Sequence, residues 1–238
     1  MKKMKWHYDP LSAYWACTCS HQFLKALKFP SKPANQYPGH ETKESIWDQH
    51  ILEKAFPAHC AGLKAGNLIC SPSNIIQCFR DKRVLEALAL IVSWGGMGRT
   101  KNYIYTKSLK EIESTLLGCV SLIRKEGSIR ESWDILVMEM DWTKAMVSKC
   151  LHFLARSLGY EVNPPVPLDG AVIIKKVWPC FIKSAENYTQ SADPPLPDAW
   201  SANSFSAFSR YMTVINCWAS YTGWTTTQLE NTLYDIFH

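Results

Sequence analysis

The stretch VSKCLHFLARSLGYEVNPPVPLDG, residues 147–170, determines the interpretation of the rest of the chain. Its first half places apolar residues three and four positions apart, which is the spacing of one face of a helix. Its second half contains three prolines and ends in Asp169 and Gly170. The stretch therefore predicts a helix over 142–159, a stiff connection, and a second helix that begins at 170.

Helical spacing recurs along the whole chain, whereas the alternation typical of half-buried strands is almost absent. Glycine- and proline-rich stretches separate the apolar segments, and Thr227 and Glu230 have capping-box spacing at the start of the last one. We therefore predict an all-α protein, with short extended pieces in its proline-rich loops. The predicted helices span 11–27, 42–56, 81–97, 108–126, 129–140, 142–159, 170–184, 204–221 and 227–237.

The chain of 238 residues is long enough to bury a substantial core as one domain of two helical subdomains. The proline-rich segment 28–41, with FPSKPANQYPGH at its centre, is the best candidate for a flexible connection. The predicted middle lobe covers about 80–165, and the second lobe joins 1–79 to 166–238.

The composition, 47% hydrophobic and 20% charged residues, excludes an intrinsically disordered chain. No apolar run has the length of a membrane span, and the N-terminal MKKMKWHYDP is not followed by the apolar core of a signal peptide. The nine cysteines are scattered, mostly within apolar helical patterns, where a free cysteine acts as a small hydrophobe. We therefore expect a soluble, cytoplasmic, monomeric protein without a membrane partner.

Some cysteines and histidines could ligate a metal, but their spacing lacks the second paired module of a zinc site. Buried thiols are the favoured interpretation, and no metal or organic cofactor is implied. The residues concerned are Cys17, Cys19, His21, His59 and Cys60.

Lys149 lies beside the apolar face of the predicted 142–159 helix, one turn from Phe153. Apolar neighbours desolvate a lysine, and desolvation favours the neutral amine that can act as a nucleophile. The alternative is an ordinary lysine whose stem covers the core while its head reaches water.

Asp169 follows Pro164, Pro165 and Pro167, which restrict the backbone that leads to it. It occupies the N-cap position of the next helix, where backbone N–H groups and the helix dipole favour an ionised carboxylate. Such a carboxylate near an amine suits a reaction that passes through a sugar cation. The alternative is an ordinary structural cap.

The lysine helix SKCLHFLARSLGY and the aspartate turn VPLDG resemble those of the helix-hairpin-helix DNA glycosylases, and are most similar to the 8-oxoguanine DNA glycosylase branch. The resemblance covers roughly residues 130–185. It implies a two-lobed helical fold in which Lys149 attacks the anomeric carbon of the sugar and Asp169 stabilises the sugar cation. The implied partner is DNA that contains a modified base, which the enzyme flips out of the helix.

The chain departs from that family in the hairpin before the lysine, where glycines are common and this sequence has MEMDWTKAM. Lys144 within it is a candidate DNA contact and a rival nucleophile, although the separation between Lys149 and Asp169 fits the family better. The chain also lacks the iron–sulfur cysteine cluster of the endonuclease III and adenine-glycosylase branches.

A second candidate DNA contact is SWGGMGRTKNYIYTK, residues 93–107. Glycines allow a phosphate to approach the backbone, and basic side chains neutralise it. A helix end followed by a solvated basic loop explains the same residues. The candidates are Gly96, Gly98, Arg99, Lys101 and Lys107.

An extruded base needs an aromatic face and a few polar groups around it. The resemblance implies that the helix near 204–221 closes over this pocket, although core packing accounts for the aromatic residues equally well. The candidate pocket residues are Trp94, Phe153, Trp178, Arg210, Tyr211 and Trp218.

The sequence thus predicts a DNA glycosylase that cuts the N-glycosidic bond of a modified base and leaves an abasic site. A Schiff base on Lys149 would permit strand cleavage as well. A resemblance to bacterial antiviral-defence glycosylases favours modified phage DNA as its target. The alternatives are an 8-oxoguanine repair glycosylase/lyase, a noncatalytic DNA-binding module on the same fold, and a helical interaction protein in which Lys149 and Asp169 are structural.

Overall fold

A computed structural model describes residues 4, 23–25, 27, 29–33, 40–42, 68–95, 106–186 and 204–237. These residues are mostly helical, which confirms the predicted all-α class at that level. The elements, in chain order, are β1 (His40–Thr42), β2 (Leu68–Cys70), α1 (Pro72–Arg80), α2 (Val84–Trp94), α3 (Leu109–Glu126), α4 (Arg130–Met138), α5 (Lys144–Ser157), a π-helix (Gly170–Val177), α6 (Trp178–Glu186), α7 (Phe205–Thr222) and α8 (Thr226–Phe237).

The chain divides into two compact units. The middle unit is Tyr37–Tyr160, and the terminal unit joins Met1–Gln36 to Glu161–His238. The sequence predicted lobe boundaries at 80 and 165. The middle unit is thus one continuous segment, whereas the terminal unit joins two segments that are distant in sequence.

Helix α5 is the centre of the middle unit, since it packs against α1, α2, α3 and α4. Ten consecutive residues of α5, Met146–Ala155, are buried, including polar ones. A helix buried on all sides belongs to a core. Trp133 and Trp142, each 1% exposed, are among the largest side chains of the same core. This placement holds the backbone of Lys149 rigidly.

The terminal unit packs α6 and α8 against the π-helix, and α8 against α7. Four rings form its aromatic core: Phe23 stacks on Trp218 at 4.7 Å, and Phe181 meets Trp218 edge-on at 4.9 Å. Trp178 lies 5.2 Å from Phe181. Dense aromatic contacts of this kind stabilise a core beyond their buried area alone.

Two predictions of element bounds were wrong. No helix is predicted between 56 and 81, yet α1 lies there: Ser71 caps it by accepting a hydrogen bond from the Asn74 N–H at 3.2 Å, and Pro72 needs no donor in the first turn. A short antiparallel pair, β1 with β2, also lies where Thr42 was expected to begin a helix. The rest of the predicted helices 11–27 and 42–56 falls almost entirely outside the described residues.

The helix predicted over 170–184 is two helices, since a π-helix precedes α6. It opens with the Ile174 N–H donating to the Asp169 carbonyl over 3.0 Å, a bond that spans five residues. Pro179 lacks an N–H and its ring crowds the carbonyl four residues earlier, so an α-helix cannot continue through it undistorted. The wider turn relieves that clash, and such turns are frequent at functional sites.

Among the described residues, no helix combines the length and apolar character required to cross a membrane.

Candidate active site

Lys149 is buried at the middle of α5, with 5% of its surface exposed. Its Nζ lies 5.9 Å from the centroid of the Trp94 ring, which is within the range of a cation–π contact. Trp94 meets Phe153 edge-on at 5.0 Å. The structure therefore brings together Lys149 and two of the predicted pocket residues, Trp94 and Phe153, within the middle unit.

Lys144, the rival nucleophile, is the first residue of α5 and is half-buried. Partial burial lowers the pKa of its ammonium. Lys149 lies more than one turn further into the helix, where the side chain is enclosed by the core. His152 follows Lys149 by three positions, so the two share a side of α5, and its ring is fully buried.

Asp169 caps the π-helix as the sequence predicted, since its Oδ1 accepts a hydrogen bond from the Val172 N–H at 2.8 Å. The proline loop before it is anchored to α7. The Tyr211 hydroxyl donates to the Pro167 carbonyl at 3.2 Å, and the Val166 N–H lies 3.4 Å from the Met212 sulfur. The backbone that carries Asp169 is thus fixed on both sides.

Two tyrosines lie in the electric field of the Asp169 carboxylate. Burial raises the pKa of Tyr211, and the charge of Asp169 raises it further. Burial likewise raises the pKa of Tyr234, with added contributions from Asp169 and Glu230. Both phenols therefore stay protonated near neutral pH. The charge of Asp169 acts on one hydroxyl group of α7 and one of α8.

Helix α8 carries a buried polar face that sequence analysis missed. Glu230 and Asn231 are 1% and 3% exposed, and the Glu230 Oε2 and Asn231 Oδ1 have no hydrogen-bond partner in the described part of the chain. Burial raises the pKa of the Glu230 carboxyl well above its ordinary value, and the charge of Asp235 adds to the increase. Burial inside the terminal unit thus favours the protonated form of Glu230.

The capping box predicted for Thr227 and Glu230 is wrong, and its displacement explains why Glu230 is buried. The cap is formed two residues earlier: the Gln228 N–H donates to Thr225 Oγ1 at 3.2 Å, and the Thr225 N–H donates to Gln228 Oε1 at 3.0 Å. Gln serves in a capping box as well as Glu does. Glu230 is then free to face the core.

One predicted DNA contact, Lys107, lines a surface groove of about 580 Å³ together with Lys110 and the N-cap residue Ser108. Both lysines are exposed. The groove also contains Glu111, whose pKa is lowered because Ser108 donates hydrogen bonds to its carboxylate. The other predicted contacts in this stretch, Gly96, Gly98, Arg99 and Lys101, lie outside the described residues.

The remaining pocket candidates belong to the terminal unit. Trp178 and Trp218 are 4% and 0% exposed and take part in its aromatic core. Arg210 is half-buried on α7, next to Tyr211. Tyr211 donates a hydrogen bond to the loop before Asp169, and the charge of Asp169 contributes to its raised pKa.

Lys149 and Asp169 belong to different units, the middle and the terminal one. Their encounter in one site remains a prediction from the sequence. No group of three or more potential metal-ligating side chains occurs among the described residues. Cys17, Cys19, His21, His59 and Cys60 fall outside that part of the chain.

Comparison with protein-family models, with curated proteins and with solved structures found no match.

Proposed function

We propose that the protein is a DNA glycosylase that removes a modified base, with Lys149 as nucleophile and Asp169 as the stabiliser of the sugar cation. The observation that carries the proposal is the burial of Lys149 at 5% exposure beside an aromatic ring. A buried lysine is costly to a fold, and functional sites are where such costs are tolerated.

The reaction begins when Nζ of Lys149 attacks C1′ of the extruded nucleotide, for which it must first give up its proton. The bond between C1′ and the base nitrogen breaks, its electron pair leaves with the base, and the base takes up a proton while the amine loses one. Opening of the sugar ring gives a Schiff base between Nζ and C1′. Water then hydrolyses the Schiff base, which regenerates Lys149 and leaves an abasic site.

Asp169 supports this reaction by its fixed position. Positive charge develops on the sugar as the base departs, and a carboxylate near C1′ stabilises that charge. The carboxylate is held by its capping bond to the Val172 N–H, and the loop before it is held by Tyr211. A group that is already oriented needs no reorganisation during the reaction.

The base-recognising groups of the proposal are aromatic and polar. Trp94 lies 5.9 Å from the Lys149 Nζ and contacts Phe153, and the Tyr211 hydroxyl donates to the Pro167 carbonyl in the loop before Asp169. An extruded base requires a stacking face and a few hydrogen-bonding groups. We propose modified bases of the kind found in phage DNA as the substrate class, with oxidised guanine as the second candidate.

Base release is the direct test. Duplex and single-stranded DNAs that carry unmodified, oxidised and phage-type modified bases are incubated with the wild-type protein, and released base is measured by mass spectrometry. We expect release of one modified base. Lys149→Gln and Asp169→Asn should each lower the rate at least about a hundredfold, as expected when one electrostatic or nucleophilic group is removed.

Two features of the chain sharpen this test. Asn is as good an N-cap as Asp, so Asp169→Asn retains the helix start and removes only the charge. Lys144→Gln is the matched control for Lys149→Gln, since both lysines lie on α5. Base release that persists in both the Lys149 and Asp169 variants contradicts the proposal. If base release is lost in Lys144→Gln alone, Lys144 and not Lys149 is the nucleophile.

A further inference from the structure

A cleft in the terminal unit has the chemistry of a nucleotide site and is separate from the residues used above. Its volume is about 480 Å³, within the range of small-molecule sites. It is formed where the segment around Phe29 meets the C-terminal end of α7. The lining residues are Leu24, Lys25, Phe29, Pro30, Ser31, Tyr221, Thr222 and Trp224.

Aromatic rings form one part of this cleft. Tyr221 is 53% exposed, which makes it one of the few large hydrophobic side chains on the surface of the described residues. Trp224 is half-exposed and stacks on Phe29 with 5.0 Å between ring centroids. The Phe29 contact fixes the orientation of the indole, so the cleft offers an ordered aromatic platform. Such platforms stack on bases regardless of their sequence.

The polar groups of the cleft favour an anion. Lys25 is exposed and, among the described lining residues, is the one with a charged side chain; none of those described residues carries a carboxylate. Ser31 and Thr222 add hydroxyl groups. The Thr222 hydroxyl donates its hydrogen to the Trp218 carbonyl at 3.1 Å, so its lone pairs remain able to accept from a ligand. The neighbouring Lys32 is exposed and adds positive charge.

We propose that this cleft, the Tyr221–Trp224 cleft, binds a nucleotide whose base stacks on the aromatic platform and whose phosphate meets Lys25. An aromatic face and a cation without a carboxylate match the two halves of that ligand, a planar ring and an anionic group. The nucleotide is either free in solution or an unstacked residue of a DNA strand. Neither Lys149 nor Asp169 lines the cleft, so a loss of nucleotide binding can be distinguished from a loss of base release.

The test uses 2-aminopurine, whose fluorescence falls when the ring stacks, because the ten tryptophans of the chain make intrinsic fluorescence unspecific. The full-length protein is titrated into 2-aminopurine deoxyriboside monophosphate, and separately into a single-stranded oligonucleotide with a terminal 2-aminopurine. We expect saturable quenching. Quenching of both probes with mutual competition indicates one nucleotide site, and quenching of the oligonucleotide alone identifies a DNA strand as the source.

Tyr221→Leu should weaken binding about tenfold or more, because one base-stacking contact is lost, whereas Tyr221→Phe should retain it. Lys25→Gln should weaken binding and reduce the slope of log K against log salt by about 0.7, the contribution of one phosphate contact on a single strand. Ile236→Leu, at a residue that is 39% exposed on α8 and does not line the cleft, is the control. Tyr221, Lys25 and Ile236 are all exposed, and unfolding curves check that the variants fold.

The proposal is overturned if neither probe is quenched at millimolar protein, or if Tyr221→Leu binds as tightly as the wild type. Equal losses in Tyr221→Leu and Ile236→Leu would overturn it as well, since the effect would then be independent of the cleft.

Discussion

At the scale of single residues, the sequence identified Lys149 and Asp169 from their patterns and missed Glu230. The burial of Lys149 and the capping role of Asp169 follow from helical spacing and from the prolines, which are local signals. Glu230 was assigned to a cap because Thr227-x-x-Glu has the right spacing. The structure uses Thr225 and Gln228 instead. Two overlapping capping boxes compete in this stretch, and only tertiary packing decides between them.

Glu230 makes the stability of the protein depend on pH. In the folded protein burial raises the pKa of this carboxyl well above its ordinary value, which favours the neutral form. In the unfolded chain the same group ionises above about pH 4.3, so the contribution of the neutral form is lost as pH rises beyond that value. Glu230→Gln, which cannot ionise, should therefore raise the midpoint of thermal unfolding at pH 8 and leave it nearly unchanged at pH 4.

The matched control is Glu113→Gln, at an exposed carboxylate on α3, which should change either midpoint little. Parallel curves of midpoint against pH for the wild type and Glu230→Gln would contradict the assignment of a neutral buried acid.

Lys149 offers a second test at this scale, in which stability and activity are expected to move apart. Methionine has a similar length and no charge to desolvate. Lys149→Met should therefore unfold at a temperature no lower than the wild type does, while base release is lost. A structural lysine predicts the opposite result, a lower midpoint with unchanged base release.

At the scale of elements, the helical pattern located seven of the described helices or helix pairs, and two of the errors concern proline. Pro72 begins α1 in a stretch where no helix is predicted, because Ser71 provides the cap before it. Pro179 lies inside α6 and follows a π-helix that no periodicity of the sequence indicates. The effect of a proline depends on whether its missing N–H falls in a first turn, which apolar spacing does not reveal.

The cap of α1 can be tested directly. Ser71→Ala removes the acceptor for the Asn74 N–H and should destabilise the middle unit by about 1 kcal/mol. Ser71→Asp preserves a capping acceptor and should have nearly wild-type stability. The measurement is the urea midpoint of unfolding, and identical midpoints for the alanine and aspartate variants would refute the cap.

At the scale of the whole molecule, the all-α class was predictable because it depends on a pattern that extends over the chain. The division into two units rests on contacts between distant segments. The sequence predicts a middle lobe of about 80–165, whereas the middle unit of the structure is Tyr37–Tyr160. The joining of Lys149 with Asp169 depends on how distant parts of the chain assemble, so local patterns do not determine it. The prediction that the two residues meet rests on the resemblance of two short motifs to those of the helix-hairpin-helix DNA glycosylases.

The proposed function also requires a DNA surface, and Lys107 tests one part of it. Lys107→Gln should weaken binding to all duplexes alike and reduce the slope of log K against log salt by about one. Lys125→Gln is the matched control, since it lies in the last turn of α3, about 25 Å along the helix from its start. Equal effects of the two substitutions would exclude a phosphate contact at the groove.

The central claim, that Lys149 attacks the sugar, is tested most directly by trapping its adduct. The protein is incubated with the DNA whose base it releases, borohydride is added to reduce any Schiff base, and the cross-linked peptide is sequenced by mass spectrometry. We expect a covalent adduct on Lys149 that is retained in Lys144→Gln and absent in Lys149→Gln. An adduct on another lysine, or base release with no adduct at all, would contradict it.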